Sequence, residues 1–421
     1  MKKSNVKYLA RVFALLAVLR LVLPPSAALA ASIGTSADIT QTNAVYFGAY
    51  EQDDPADGKD PIEWRVLENS GGELFLLSEK NLDAKPYHED DESVTWERST
   101  IRSWLNGYGA SENKGDVVNP ANDSGIDYSA DSFIGAAFSA AEKNAIPAAQ
   151  AHTYTYNSDT AEQTGSPTSD QIFLMSVREV TSAALGFPAG TDSDGSRVAI
   201  NTAYAIAISR GAVDFSGNGG WWLRSPGYDV SIAAFVDDHG GAYPDGNIVY
   251  SASVGVRPAF KLNLSSVILI SAASGGKSPS LISSNLEPAS VSDAGGMVKL
   301  TLQTSAQTLE VTAAAKQSTQ SGGTLSFAYK NATTGANQFV SCVMDQGGAV
   351  KYYGKLADSS GTAGGTLAIP LTGVANGTYT LKIFSEQDNG DNHTDFASAP
   401  VLMTVTVAGN IGAVSNFGGA I

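Results

Sequence analysis

The sequence predicts two domains of different classes: an α+β domain over residues 31–270 and an all-β domain over residues 285–408. In the first domain, helix start and stop signals alternate with short apolar runs that are typical of strands. In the second, β-rich runs alternate with clusters of turn residues. Residues 271–284 lie between the two and are mostly Ser, Gly and Ala, so they predict a linker. Residues 409–421 would form a tail.

Residues 1–30 have the features of a signal peptide. Basic residues precede an apolar run over residues 12–23, and small residues at 28–30 offer a cleavage site. The apolar run is short for a membrane span, and Arg20 interrupts it. No later run reaches spanning length. We therefore expect a protein that is secreted or extracellular, or is associated with the cell surface after export, with no membrane span once the signal is removed.

The mature chain would be strongly acidic. Cleavage after Ala30 leaves 21 Lys plus Arg against 42 Asp plus Glu, a formal charge of −21. Because the basic residues form no run, a phosphate backbone would be repelled, and we expect no nucleic acid partner. The single cysteine, Cys342, excludes an internal disulfide. We expect it to be a small buried side chain on a strand.

Three helices of the first domain are predicted from signals at their ends. Residues 95–107 carry apolar side chains at helical spacing, with Thr95 as a candidate N-cap and Gly107 as a stop. Ser139 and Ser176 each stand three residues before a glutamate, which is the spacing of a capping box. Strands are predicted at Ile62–Leu67, Glu73–Leu77 and Ile172–Met175.

Seven β-rich runs predict that the second domain is an immunoglobulin-like sandwich, because this number of short strands in such a length is typical of that fold. The runs are Met297–Leu302, Leu309–Ala313, Leu325–Tyr329, Phe339–Met344, Leu367–Leu371, Tyr379–Phe384 and Val401–Val407. The dipeptide Asn376-Gly377 predicts a hairpin turn before one of them. A domain of this kind usually acts as a spacer or presents another domain.

Two motifs near the end of the first domain enclose the predicted recognition surface. They are WWLRSPG at 221–227 and GVRPAF at 255–260. Adjacent tryptophans on a strand point to opposite faces, so both are expected to be structural. The two arginines are expected to be buried or half-buried and paired with carboxylates, which guanidinium groups suit. The residues assigned to the scaffold are Trp221, Trp222, Arg224 and Arg257.

Residues 228–253, between these motifs, have the composition of an adaptable binding surface. They are rich in Tyr, Asp, Ser and Gly, and their 26 positions contain no Lys, Glu, Gln, Met or Trp. Rigid aromatic rings combined with short hydrogen-bonding groups are typical of binding loops. The alternative is a pair of ordinary hairpins with polar turns at 238–241 and 244–247. The predicted ligand-binding residues are Tyr228, Asp229, Ser231, Asp237, Asp238, His239, Tyr243, Asp245, Asn247, Tyr250, Ser251 and Ser253.

An ordered set of segments resembles a bacterial family of secreted domains of unknown function. The segments are IEWRVL (62–67), LLSE (76–79), TWExSxIRxWLN (95–106), FSxxEK (138–143), WWLRSPG (221–227) and GVRPAF (255–260). The resemblance covers about residues 45 to 265. That family is similar to proteins with a C-type-lectin-like or formylglycine-generating-enzyme-like fold. The likeness implies such a fold for the first domain, with the two flanking motifs in the scaffold and residues 228–253 as the exposed ligand face.

The same fold class includes the target proteins of diversity-generating retroelements, whose surface residues are varied by adenine-directed mutagenesis. Asn codons randomised at their adenines yield Tyr, Asp, Ser, His, Ile, Val, Phe, Pro, Gly and Ala, but never Lys, Glu, Gln, Met or Trp. The composition of residues 228–253 agrees with that rule. The resemblance therefore implies a variable binder.

Enzymatic functions are less well supported, and no catalytic residue is assigned. An enzyme of the formylglycine-generating type needs reactive cysteines, and Cys342 lies in the other predicted domain. Residues 237–239, Asp-Asp-His, leave a carboxylate-dependent hydrolase as a distant third function, but they suit a turn equally well. No cofactor is expected. Calcium is the one cation with candidate loops, at 53–58 and 388–395, and a solvated acidic turn is the preferred interpretation of both.

Two functions of different classes remain. The first is a secreted, non-catalytic protein that binds an extracellular protein or glycan through residues 228–253. The second is a structural or adhesive cell-wall protein with no defined small ligand.

Overall fold

The computed structural model describes residues 31–53, 55–109, 125–151, 168–209, 217–229, 231–290, 296–312 and 314–409. The predicted signal peptide, residues 1–30, lies outside these residues, as does nearly all of the predicted tail. Within the described ranges, none of the helices has the length and apolar character needed to cross a membrane.

Up to residue 272 the described chain forms fourteen strands. They are β1 (Ile33–Gly34), β2 (Ala44–Tyr50), β3 (Asp60–Ser70), β4 (Glu73–Ser78), β5 (Asp83–Ala84), β6 (Ala149–Ala151), β7 (Thr168–Asp170), β8 (Ile172–Phe173), β9 (Trp221–Pro226), β10 (Ile232–Val236), β11 (Ala242–Ile248), β12 (Gly255–Val256), β13 (Ala259–Asn263) and β14 (Val267–Ala272). Gly71 and Gly72 join β3 to β4 with φ values of 61° and 84°. Two positive φ values in a row are what a two-residue hairpin turn requires.

Eleven more strands follow in the described part of the C-terminal region. They are β15 (Glu287–Pro288), β16 (Met297–Gln303), β17 (Glu310–Thr312), β18 (Lys316–Gln320), β19 (Thr324–Lys330), β20 (Gln338–Gln346), β21 (Ala349–Asp358), β22 (Gly365–Pro370), β23 (Gly377–Gln387), β24 (Asp395–Ala397) and β25 (Val401–Ala408). Each of the seven predicted runs overlaps one of these strands.

The described α-helices are all short, and four 3₁₀ helices of three residues each also occur, at Ser36–Asp38, Trp96–Arg98, Ala183–Leu185 and Leu264–Ser266. The α-helices are α1 (Thr100–Asn106), α2 (Phe133–Ala137), α3 (Ala140–Ala145), α4 (Val177–Val180) and α5 (Ala203–Ile208). Ser99, not Thr95, caps α1, because its side chain accepts the backbone N–H of Arg102. The helix ends at Gly107 with φ 70°, as predicted. Both predicted capping boxes form, at the starts of α3 and α4.

The predicted α+β C-type-lectin-like fold is wrong. Of the described residues, 43% lie in strands, which form large mixed sheets, and 12% lie in helices. The helix signals locate the helix ends well, but cap residues do not determine how far a helix extends. Helices of four to seven residues depend on packing, and here strands supply most of the surface on which they pack.

Strand β16 connects the two halves of the chain in one large sheet. It pairs with β14 in antiparallel orientation, and its other edge pairs in parallel with β2 and then with β24. The predicted linker, 271–284, begins inside β14, and its Lys277 is buried. The segment is thus tied to the C-terminal strands, while the division of the chain into two domains stays a prediction.

Two large apolar clusters form most of the core. The first lies mainly in the N-terminal half and extends to Val298, Leu300 and Leu302 on β16. In it Trp64 is fully buried, packs edge-on against Phe260 at 4.6 Å between ring centroids, and donates its indole N–H to the carbonyl of Phe47. The second is shared by the β17–β19–β22 sheet and by strands β20, β23 and β25. Cys342 on β20 is buried in it, as predicted. These C-terminal strands thus have the arrangement of an all-β sandwich.

Candidate functional site

Strand β9 anchors the predicted surface through its two tryptophans, both fully buried. Trp221 donates its indole N–H to the carbonyl of Arg197 at 3.0 Å, and the guanidinium of Arg257 lies 4.9 Å from its ring centroid. Trp222 donates to the carbonyl of Lys85 at 2.9 Å. Alternation along the strand sends the two rings to opposite faces of the sheet, so β9 is anchored from both sides.

Arg224 forms the carboxylate pair that its position in the sequence predicts. Its two Nη atoms donate to the two carboxylate oxygens of Glu179 at 2.6 and 2.8 Å, and Nη1 also donates to the carbonyl of Leu174. Burial alone would raise the pKa of Glu179, but Arg224 and hydrogen bonds from Ser176 hold it below its usual value. Glu179 therefore caps α4 and holds β9 at the same time.

Arg257 is buried in a different way. Its guanidinium donates to the backbone carbonyls of Ser78, Arg197 and Glu79, at 2.8, 3.2 and 3.3 Å. Burial lowers the pKa of Arg257, and the nearby charge of Arg65 lowers it further. Arg257 thus ties its own segment to two others, at residues 78–79 and 197, beneath the predicted surface. The carboxylate partner that was expected is replaced by backbone carbonyls.

Strands β10 and β11 form a hairpin that contains six of the twelve predicted contact residues. In the order of the described strands, β11 stands at the end of a five-stranded sheet, β11-β10-β9-β12-β5. The predicted turn at 238–241 connects the two strands, with Gly240 at φ 81°. The predicted turn at 244–247 is instead an irregularity inside β11. Gly246, at φ 87°, permits it, because a Cβ there would lie 2.4 Å from a methyl carbon of Ile232.

None of the twelve predicted ligand-binding side chains is buried. The three tyrosines are the most prominent, with Tyr228 65%, Tyr243 47% and Tyr250 41% exposed. Of the others, Asp229, Asp238, His239 and Asp245 are exposed, and Ser231, Asp237, Asn247, Ser251 and Ser253 are partly exposed. We call these twelve side chains the 228–253 surface. Their contact with a ligand stays a prediction.

One aromatic residue of this region was not predicted. Phe235 on β10 stacks on Tyr243, with 5.3 Å between ring centroids and 22° between ring planes. The register of the sheet places Phe235 opposite Trp222 on one side and opposite Tyr243 on the other. Side chains at such positions share a face, so buried Trp222, partly buried Phe235 and exposed Tyr243 form a row that leads from the core to solvent.

Asp237 organises the turn between β10 and β11. Its Oδ1 accepts the backbone N–H groups of His239 and Gly241 at 3.0 and 2.6 Å. Asp238 lies 2.7 Å from His239 Nδ1. Ligand atoms of these three side chains lie within 4.8 Å of one another, which is close enough to hold a cation. The hydrogen bonds of Asp237, however, match those of an aspartate that stabilises a tight turn.

Arg197 supports the same turn and has no signal in the sequence. It is fully buried. It donates to five backbone carbonyls, those of Val180, Pro188, Gly190, Asp192 and Gly240. The backbone N–H of Ala242 also donates to the carbonyl of Thr191. The 188–197 segment therefore supports the turn of the β10–β11 hairpin through these hydrogen bonds.

The two loops considered for calcium differ in the structure. In the loop at 388–395, Asp388 binds Lys355 and Asp395 binds Lys277, each at 2.6 Å, so lysines already neutralise these carboxylates. In the loop at 53–58, residue 54 lies outside the described residues. Ligand atoms of Glu51, Asp53 and Asp60 approach within 4.8 Å of one another.

A cleft of about 500 Å³ lies elsewhere in the N-terminal half. Its lining includes Glu68, Phe75, Glu179 and Lys261, and none of the twelve residues of the 228–253 surface. Glu179 is the partner of Arg224, so the cleft opens beside the support of β9.

Comparison with known proteins yields one family. No curated protein is significantly similar to the chain. Residues 71–264 match the model of a family described as a domain of unknown function, DUF6273. The matched range includes the whole 228–253 surface and its four scaffold residues. The chain therefore contains, over residues 71–264, a DUF6273 domain of unknown function.

Proposed function

We propose that this chain is an extracellular, non-catalytic protein that binds a protein or glycan ligand through the 228–253 surface. The observation that carries the proposal is the contrast between exposed tyrosines and the buried scaffold beneath them. Tyr228, Tyr243 and Tyr250 are 41–65% exposed, whereas Trp221 and Trp222 are fully buried. Exposed aromatic side chains on a well-packed support often supply the contact energy of an interface.

The rigidity of the support favours recognition over a purely passive surface. Arg197 ties the hairpin turn to the 188–197 segment, and Arg224 and Glu179 hold β9. A surface that is ordered before binding loses less conformational entropy when it meets a ligand.

The charge of the surface favours ligands that donate hydrogen bonds. Asp229, Asp238 and Asp245 are exposed, and residues 228–253 contain no Lys or Arg. Hydrogen bonds from Ser231 lower the pKa of Asp229, so this carboxylate stays ionised. Hydroxyl groups of a glycan or basic side chains of a protein would complement these carboxylates.

A binding screen with matched variants tests the proposal. The purified chain is applied to a glycan array and to a panel of secreted proteins, and saturable binding is measured. The triple variant Y228A/Y243A/Y250A is expected to lose that binding and to stay folded. Because the rings are 41–65% exposed, loss of their contacts, including the stack of Tyr243 on Phe235, should lower the melting temperature only slightly. The control is Leu402→Ala on β25, which removes a side chain that is 60% exposed and outside the surface.

Two results would favour the alternative, a structural or adhesive cell-wall protein. One is that the triple variant binds as well as the unsubstituted chain. The other is that Leu402→Ala weakens binding as much as the triple variant does. Hydrolysis of a bound glycan, by contrast, would favour the third function considered above, a carboxylate-dependent hydrolase.

Variation among copies is the finer part of the proposal. The absence of Lys, Glu, Gln, Met and Trp from residues 228–253 agrees with adenine-directed diversification. The twelve surface residues are all at least partly exposed, so they would tolerate exchange better than the buried scaffold. Sequencing of near-identical copies should find differences concentrated in residues 228–253, and differences spread evenly along the chain would refute this part.

A further inference from the structure

Six charged side chains meet in the interior of the C-terminal half. They are Lys277, Lys299, Lys355, Glu386, Asp388 and Asp395, and none has a side chain more than 14% exposed. The three lysines formally balance the three carboxylates. Burying so many charges is expensive, because their mutual attraction must offset the loss of water from each one.

Lys277 contacts two carboxylates of this cluster at the same short distance. Its Nζ lies 2.6 Å from Glu386 Oε1 and 2.6 Å from Asp395 Oδ2, and it donates to Thr301 Oγ1 at 2.8 Å. An amine is thus held against the carboxyl group of one residue while a second carboxylate touches the same nitrogen. Positioning of reactants in this way can supply a large part of the barrier to a reaction.

The surroundings keep water away from these atoms. Glu386 and Asp395 are fully buried, and the hydroxyl of Tyr353, also fully buried, donates to Glu386 Oε2 at 2.7 Å. Phe384, on the same strand as Glu386, is fully buried as well. A dry site favours reactions that release water and protects an amide, once formed, from hydrolysis.

We propose that Lys277 and Asp395 condense to form an amide crosslink inside the chain, with Glu386 as the group that transfers the proton. Glu386 takes a proton from the Lys277 ammonium and passes it to the carboxylate of Asp395, and the free Nζ attacks Cγ of Asp395. The new bond is Nζ–Cγ, and the bond that breaks joins Cγ to a carboxyl oxygen, which leaves as water. The ammonium supplies both protons of that water, so no outside reagent is needed and Glu386 ends as it began.

The protonation preferences of the pair agree with this route. Burial raises the pKa of Asp395 even though Lys277 and Lys299 lower it, so its carboxylate readily takes up a proton that leaves the Lys277 ammonium and becomes the neutral, reactive form. Burial alone would lower the pKa of Lys277, but Asp395 and Glu386 raise it above its usual value. The free amine therefore forms only when a proton passes to a neighbouring carboxylate, and Glu386 is in contact to receive it.

The geometry selects Lys277 over Lys299. Lys299 Nζ also approaches Asp395, at 2.9 Å, but it donates to the carbonyl of Gly390 at 2.6 Å and lies 3.3 Å from Asp388. Glu386 contacts the nitrogen of Lys277 directly. The condensation would remove one positive and one negative charge, so the four charges that remain would still balance.

The crosslink would stabilise this chain in the way that a disulfide stabilises other proteins. Cys342 is the only cysteine, so no internal disulfide can form. An amide between residues 277 and 395 would close a long loop and join the predicted linker to β24. Closing a long loop restricts the unfolded chain and thereby stabilises the folded one.

Intact mass spectrometry of the folded, full-length product tests the proposal. The chain is expected to weigh one water molecule less than its sequence requires, after correction for any signal cleavage. Proteolysis followed by fragmentation should give a branched peptide joined at Lys277 and Asp395. A chain with a native circular dichroism spectrum and the full mass, unchanged after long incubation, would overturn the proposal.

Three conservative variants locate the reaction. Lys277→Arg keeps the charge but has no amine that can condense, so it should show the full mass. Lys299→Arg should still lose one water. Glu386→Gln should fold, as checked by circular dichroism, and show the full mass. Loss of water in Lys277→Arg would contradict the crosslink, and loss of water in Glu386→Gln would contradict only the role of Glu386.

Discussion

The pair formed by Arg224 and Glu179 provides the most direct test of the scaffold under the 228–253 surface. Arg224→Ala removes two hydrogen bonds to Glu179 and one to the carbonyl of Leu174. Breaking a buried ion pair by removing one partner typically costs about 3–5 kcal/mol. The Arg224 side chain is 1% exposed and that of Glu179 is 23% exposed. Because solvent can partly rescue Glu179, we expect a loss near the lower end, about 3 kcal/mol.

Urea unfolding followed by tryptophan fluorescence measures this loss, since Trp221 and Trp222 are buried beside Arg224 on β9. The control is Arg178→Ala, which changes an exposed arginine on the helix that contains Glu179 and should cost less than about 0.5 kcal/mol. A double-mutant cycle with Glu179→Ala should give a coupling energy of about 1–3 kcal/mol. A loss in Arg224→Ala no larger than in the control would refute the assignment of Arg224 to the scaffold.

Three further predictions follow. Gly246→Ala should destabilise the β10–β11 hairpin by about 1–3 kcal/mol and weaken ligand binding, because the position has a positive φ and the new Cβ would approach Ile232 to 2.4 Å. Gly195→Ala, whose new Cβ would lie in open space, should change neither stability nor binding. Thermal unfolding and the binding screen compare the two variants. Acid should lower the melting temperature below about pH 4. In the folded chain, attraction from nearby Arg or Lys outweighs burial and lowers the pKa values of Glu179 and Asp388. These carboxylates therefore stabilise the fold fully above their pKa values in the unfolded chain, and this stabilisation is lost as the pH falls through their pKa values in the folded chain. An unchanged melting temperature from pH 7 to pH 3 would contradict this. Cys342 should not react with a thiol reagent until the chain unfolds, because burial raises the pKa of its thiol and keeps the reagent away from it. Rapid modification of the folded chain would show that β20 is more open than the structure indicates.

Most features that depend on neighbours in the sequence were predicted, although Thr95 does not cap α1 and residues 244–247 lie inside β11. The capping boxes at Ser139 and Ser176 form, and Gly107 ends its helix in the left-handed conformation. These are interactions between residues three or four positions apart, so the local sequence contains both partners. The same is true of the turn that contains Gly240.

Features that depend on distant residues were missed or misjudged. The fold class of the N-terminal half was wrong, because the signals marked where helices begin but not that strands would surround such short ones. Strand β21 was missed as well, although Gly347 and Gly348, at φ 62° and 84°, form the turn between it and β20. That dipeptide is a local signal for a hairpin, and Val350, Tyr352 and Tyr353 after it are residues that favour strands.

For the candidate site, the sequence alone determined which residues belong to the core and which belong to the surface. Adjacent tryptophans followed by an arginine predicted the buried strand β9, and the polar, tyrosine-rich composition of residues 228–253 predicted exposed side chains, because burial preference is a property of each residue type. Only the tertiary structure decided which groups meet. Glu179 reaches Arg224 across 45 residues, and Lys277 reaches Asp395 across 118. Such contacts depend on how the sheets assemble, and a single sequence contains no signal that pairs their partners.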